Sequence, residues 1–130
     1  MRVMLDTNIL ISALVFGGKT RVLLEHLLVS EYEIFISEYV YKEFCDKLRL
    51  KWPDKADMLI SIFSKMNFNF CKSSEQMLGK VRDKKDIPVL SDAIFNQVDV
   101  LLTGDKDFLE SDITHPLIFS PSMLAEFLGI

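Results

Sequence analysis

The chain has 130 residues, of which 49% are hydrophobic and ten are Phe, at a net charge of −4. That length predicts one domain over residues 1–130, and the apolar share is enough for a real core and too high for disorder. The negative balance excludes a protein that holds nucleic acid by bulk charge alone, but not an enzyme whose acids hold a cation that works on nucleic acid.

No apolar run reaches the roughly 20 residues of a bilayer span, and Asp6 interrupts the only early apolar stretch, so no signal-peptide pattern forms. Cys45 and Cys71 have no further Cys and no nearby His, which argues against zinc and for two reduced thiols. The chain reads as cytoplasmic, with no membrane partner.

The first strand is expected at 2–6, and "ILISALV" (9–15) reads as a buried helix ended by Gly17 and Gly18. Residues 20–29 read as an amphipathic helix and "YEIFIS" (32–37) as the second strand. Ser37 has the character of an N-cap for a helix running to about Leu50, before Pro53. A helical stripe follows over 54–66, then a short strand at "FNFC" (68–71). The next helix, 88–97, opens on Pro88, and "VDVLLT" (98–103) reads as the central strand. "LIFS" (117–120) is the last strand, with Ser120-Pro121 starting a terminal helix. Strands alternating with helices predict the α/β class: a three-layer α/β/α domain around a parallel sheet of four or five strands.

In such a sheet the strand C-termini and the helix N-termini share one edge, where ligands bind. Asp6 and Asp105 fall at strand C-termini. Asp86 falls just before a helix, and Glu43 lies about 9 Å into the helix after the second strand at 1.5 Å per residue. Two unit charges 4 Å apart repel by about 4 kcal/mol at an effective dielectric near 20, so converging acids need protons or a cation between them. Oxygen-only ligands suit Mg²⁺ or Mn²⁺, and one of the metal's waters can be activated to attack a phosphodiester.

With these residues placed, the sequence resembles the PIN-domain nucleases, from "MRVMLDTNILISAL" through "RDKKDIPVLSDAI" to "LLTGDKDF". It looks closest to the branch of toxin components of toxin–antitoxin systems. The resemblance implies a Mg²⁺- or Mn²⁺-dependent ribonuclease, often a homodimer, often paired with a small antitoxin protein. It also implies the catalytic and metal-binding set: Asp6 in "LDTN", Glu43 in "EYVYKEF", Asp86, and Asp105 nineteen residues after it. Thr7, Asn8 and Thr103 become supporting groups, and Asp107 and Asp83 match acids common in the branch.

Each residue also has a plainer reading. Asp6 and Asp86 can be helix caps, Asp105 a turn acid, and Glu43 a solvated helical glutamate with Glu38 as competitor. Asp92 lies six residues after Asp86, on another helix face, and reads as structural or solvated. His26 and His115 read as bystanders, and Trp52 as a plug at the helix end beside Pro53. Lys47, Arg49, Lys51 and Lys55 read as a solvated face. Lys80, Arg82, Lys84 and Lys85 flank the expected metal edge, which makes Arg82, Lys84 and Lys85 candidates for RNA-phosphate contact. The expected function is a divalent-metal-dependent endoribonuclease, the toxin of a type II pair. The alternatives are a housekeeping RNA-processing nuclease, another Mg-dependent phosphohydrolase, and a non-catalytic binding module on the same fold. A covalent phosphohydrolase would want a second acid two residues after Asp6, where this chain has Asn8.

Overall fold

The computed structural model describes residues 1–73 and 87–130. Asp83, Asp86, Lys80, Arg82, Lys84 and Lys85 lie outside the described residues.

Five parallel strands carry their C-termini to one edge. Strand β1 (Arg2–Leu5) pairs in parallel with β2 (Glu33–Ser37) on one side and β4 (Val100–Leu102) on the other. Strands β3 (Asn69–Cys71) and β5 (Leu117–Phe119) complete a five-stranded parallel sheet in the order β3-β2-β1-β4-β5. Val3 sits between Ile34 and Val100, and Met4 between Phe35 and Leu101. All six are buried although adjacent strand residues face opposite ways, so both sheet faces are covered. This is the three-layer α/β/α arrangement, and it explains why these strands read as continuous rather than alternating apolar runs.

The helices begin where capping groups stand. Helix α1 (Thr7–Ile11) follows Asp6 directly and continues as a π-helical turn, Ser12–Phe16. Gly17 (φ 74°) and Gly18 (φ 62°) then adopt the left-handed region that side chains disfavour. Their freedom lets α2 (Gly18–Val29) leave at 109° to the preceding helical segment. Ser37 caps α3 (Glu38–Lys51) by accepting from the Val40 amide at 3.1 Å. The hairpin partner α4 (Ala56–Ser64) packs on α3 through Phe63, whose ring lies 5.3 Å from that of Phe44. Helix α5 (Ile87–Phe95) precedes β4, α6 (Lys106–Leu109) follows it, and Ser120 caps α7 (Pro121–Leu128). Among the described residues, no single helix is long and apolar enough to cross a membrane.

Three features differ from the sequence expectation. The buried helix after β1 starts two residues earlier and ends in a wider π turn. The central strand is shorter than 98–103, because Gln97 (φ 53°) turns the chain into it. Helix α6 was not foreseen; four residues carry too little periodicity to register.

Ser37 is fully buried and its hydroxyl serves the α3 start, so Ser37→Ala leaves the Val40 amide without its cap. The expected loss is about 1–2 kcal/mol in urea unfolding. Ser61→Ala on the exposed face of α4 is expected to stay within about 0.5 kcal/mol.

Candidate functional site

Asp6 stands where β1 ends, and the β1–β4 ladder runs on through it: its amide donates to the Leu102 carbonyl at 3.0 Å. The side chain is buried, with 5% of its surface exposed. One carboxylate oxygen, Oδ1, accepts from the Thr7 amide at 2.8 Å. The other, Oδ2, accepts from the Thr103 hydroxyl, also at 2.8 Å. Thr103 is itself fully buried, and its Oγ1 accepts from the Asp105 amide at 3.0 Å. An amide N–H can only donate, so that contact takes an oxygen lone pair and leaves the hydroxyl proton for Asp6.

Asp105 ends the turn after β4. Its Oδ1 accepts from the Asp107 amide at 2.7 Å, which caps α6. The second carboxylate oxygen is not used in that bond, so capping leaves Asp105 acceptor capacity toward the edge. Glu43 comes from the second turn of α3. Its Oε1 lies 4.0 Å from Lys47 Nζ, one helical turn on, in a half-exposed pair. The i,i+4 spacing of Glu43 and Lys47 carried that contact in the sequence, where Lys47 was read as solvated.

The charges of the other two described acids are felt at Asp6. Burial is the largest cause holding the Asp6 carboxyl above its ordinary value of 3.8. The Thr103 and Thr7 hydrogen bonds pull it down, and the charges of Glu43 and Asp105 push it up again. Asp6 therefore lies within Coulombic range of Glu43 and of Asp105. Among the described residues, no three His, Cys, Asp or Glu side chains stand close enough to hold a metal ion.

Thr7 is buried and its Oγ1 has no hydrogen-bond partner among the described residues, while Asn8 beside it is exposed. Asp107 is half-buried and contributes its backbone to Asp105. The expectation for Asp92 left two readings open, and the structure selects one: it is 1% exposed, not solvated. Its charge is a secondary cause, after burial, of the Cys71 thiol being pushed up to about 11. Trp52 caps α3 through its amide to the Leu48 carbonyl at 2.8 Å and is half-buried there, as the helix-end reading had it. Cys45 and Cys71 are free thiols.

Comparison with known proteins places this geometry in a family. The sequence model of the PIN domain matches residues 2–107. Among curated sequences no relative matches the chain. The solved structure of VapBC2 from Rickettsia felis, bound to a DNA fragment from their promoter, superposes with a TM-score of 0.71 at 20% identity. It covers 92% of this chain and 98% of the matched chain. VapBC-1 from nontypeable Haemophilus influenzae gives a TM-score of 0.68 at 19% identity, covering 94% and 99%.

Two outcomes follow. Thr103→Val removes one buried donor to a carboxylate and one acceptor for an amide; the expected loss is about 1.5–3 kcal/mol in chemical unfolding, largely restored in Thr103→Ser. The second concerns pH. The raised Asp6 carboxyl means the folded state holds its proton to higher pH than the unfolded chain does. Stability from this group is therefore full below the ordinary value of 3.8 and is lost as pH rises through the folded value. In metal-free protein the stability of Asp6→Asn relative to wild type should climb over that window and then level off, whatever its constant offset. A difference that is flat with pH would contradict the raised carboxyl.

Proposed function

The chain belongs to the PIN domain family, and from that premise we propose that it is a divalent-metal-dependent endoribonuclease, the toxin of a type II toxin–antitoxin pair working in the cytoplasm. The observation that carries this reading is the coupling of Asp6 to Asp105 through the Thr103 hydroxyl, with the Glu43 charge felt at Asp6. The charges of Glu43 and Asp105, both distant in sequence, are felt at Asp6 on the edge where parallel strands end, and burial makes the Asp6 carboxylate unfavourable without a counter-charge.

The residues fit a hard dication. The donors are oxygen alone, the charges of Glu43 and Asp105 add to the cost of the buried Asp6 carboxylate, and the buried Thr7 hydroxyl adds an unpaired oxygen beside Asp6. Asp6, Glu43, Asp105 and, from the family resemblance, Asp86 would hold Mg²⁺ or Mn²⁺. When bound, such an ion lowers the pKa of an attacking water and neutralises phosphate charge. The chain's own part is positional. The β1–β4 ladder and Thr103 hold the Asp6 carboxylate, Thr103 and the Asp107 amide hold Asp105 by its backbone and carboxylate in turn, and α3 sets the depth of Glu43. Arg82, Lys84 and Lys85, beside Asp86 in sequence, would take RNA phosphates.

The structural neighbours named for VapBC favour a partner protein in the same role as an antitoxin. A basic side chain from such a partner, placed over the acidic edge, would stand in for the cation. A homodimer accords with the family resemblance.

The reading is tested with labelled RNA. Cleavage should require Mg²⁺ or Mn²⁺ and stop with EDTA, and either ion should raise the melting temperature by binding the folded state. Asp105→Asn should cut the rate at least about a hundredfold while remaining folded. Asp92→Asn should leave cleavage near wild type, since the proposed site does not use it. EDTA-resistant, zinc-stimulated cleavage would overturn the metal assignment, and a dead Asp92→Asn beside an active Asp105→Asn would overturn the acid set. Expression of the chain without a partner should slow bacterial growth; unimpaired growth with active purified enzyme would replace the toxin role by a housekeeping one.

A further inference from the structure

Helices α1 and α3 start side by side, at Asp6 and Ser37, and pack along their length away from the acidic edge. Their far ends meet again. The Phe16 ring, at the close of the π turn, stands edge-on to Trp52 at the α3 C-cap, with centroids 5.8 Å apart at 82°. Phe16 is 72% exposed, so it adds little to the core, and its contact with Trp52 holds a large aromatic face toward solvent. Between the acids and this pair lies one strip of α3: Glu43, Lys47 and Lys51 follow one another at i,i+4 spacing.

The charge of this strip is opposite to that of the molecule. The chain is net −4, yet the segment that ends this strip, Lys47–Lys55, carries Lys47, Lys51 and Lys55, with Arg49 on another face of the helix, against the single acid Asp54. Arg49, Lys51 and Lys55 are exposed, and Lys47 reaches back to Glu43 at 4.0 Å. Cations along a track with an exposed aromatic at its end are the chemistry that binds single-stranded nucleic acid: charge follows the phosphates and a ring stacks on a base. The length also fits. Nine residues of α3 separate Glu43 from Trp52, about 13 Å at 1.5 Å per residue, or about four stacked nucleotides at 3.4 Å each.

We propose that this strip is the track on which the RNA strand lies beyond the cleaved phosphate, with Lys51 and Lys55 against phosphates and Phe16 stacking on a base. The proposal rests on the ribonuclease reading, and it assigns α3 a share in substrate length dependence that the acids do not supply. It also explains why the exposed Phe16 is braced by a half-buried Trp52: a stacking platform works when its ring is held in place.

The test compares cleavage of two single-stranded RNAs, one of about four nucleotides and one of about twelve, both centred on the same cleavage site. Phe16→Ala and the double variant Lys51→Glu/Lys55→Glu should raise KM for the longer RNA about tenfold, with kcat and short-substrate kinetics unchanged. Phe16→Trp should behave as wild type. For the double variant the slope of log affinity against log salt should become shallower by about one. Melting curves establish that each variant is folded. If wild type cleaves both RNAs and every variant does so with unchanged KM, the track is overturned and the ribonuclease reading stands. If wild type cleaves neither RNA, both fall. If the variants keep RNA kinetics but escape inhibition by a partner protein, the strip is a protein-docking surface and the proposal is overturned.

Discussion

The Thr103 hydroxyl is the contact on which the acidic edge depends. A single oxygen gives its proton to Asp6 and takes one from the Asp105 amide, so two acids from opposite halves of the chain are held by one side chain. The backbone around it is equally committed. Asp6 continues the ladder to Leu102, and the Thr103 amide donates to Phe119 at 2.9 Å, which ties β5 into the same edge. Shifting β1 by one residue against β4 would break this set and turn Val3 and Leu5 to the opposite sheet face. The core register and the site register are therefore one constraint.

A carboxylate buried to 5% exposure is a burden to a fold. Its two hydrogen bonds oppose the burial effect without overcoming it, and the two nearby acids deepen it. Nothing in the packing requires an acid there, since an uncharged cap could receive the Thr7 amide. Strain of this kind clusters at functional sites because a bound ligand relieves it. The charge pattern extends the point: the acids gather at the strand ends while the cations of α3 trail from them.

Much of this was legible in the sequence, and the reasons differ by residue. Strand-length apolar runs with acid or Ser at their ends located β1 and β2, because a strand buried on both faces has no polar positions to interrupt it. Ser37 and Ser120 announced their helices by cap chemistry that needs only local sequence. The π turn at Ser12–Phe16 did not show, since it depends on packing and not on composition. Helix α6 is too short to be periodic, so the capping of it by Asp105 did not show either. Asp92 could be placed on a helix face but not in depth, because its burial comes from tertiary packing, and its charge is felt as far off in sequence as Cys71. Phe16 falls just past the buried helix expected at 9–15, and only its 72% exposure against Trp52 sets it apart.

The topology explains why the acids arrive as they do. From β1 the chain moves outward to β2 and β3, then returns past β1 to β4 and β5. The reversal falls between β1 and β4, and in an open parallel sheet the crevice at such a reversal is where connections diverge and leave room for a ligand. Asp6 and Asp105 are the residues that follow those two strands, and they flank that crevice. The end of β2 is taken up differently: Ser37 is fully buried and spends its hydroxyl on capping α3. An acid from that side must come from the helix itself, deep enough to reach across a strand spacing of about 4.8 Å to Asp6. Glu43 meets that requirement, and Glu38, in the first turn and exposed, carries no charge effect on Asp6. Of the two glutamates that compete in the sequence, Glu43 is the one whose charge is felt at Asp6.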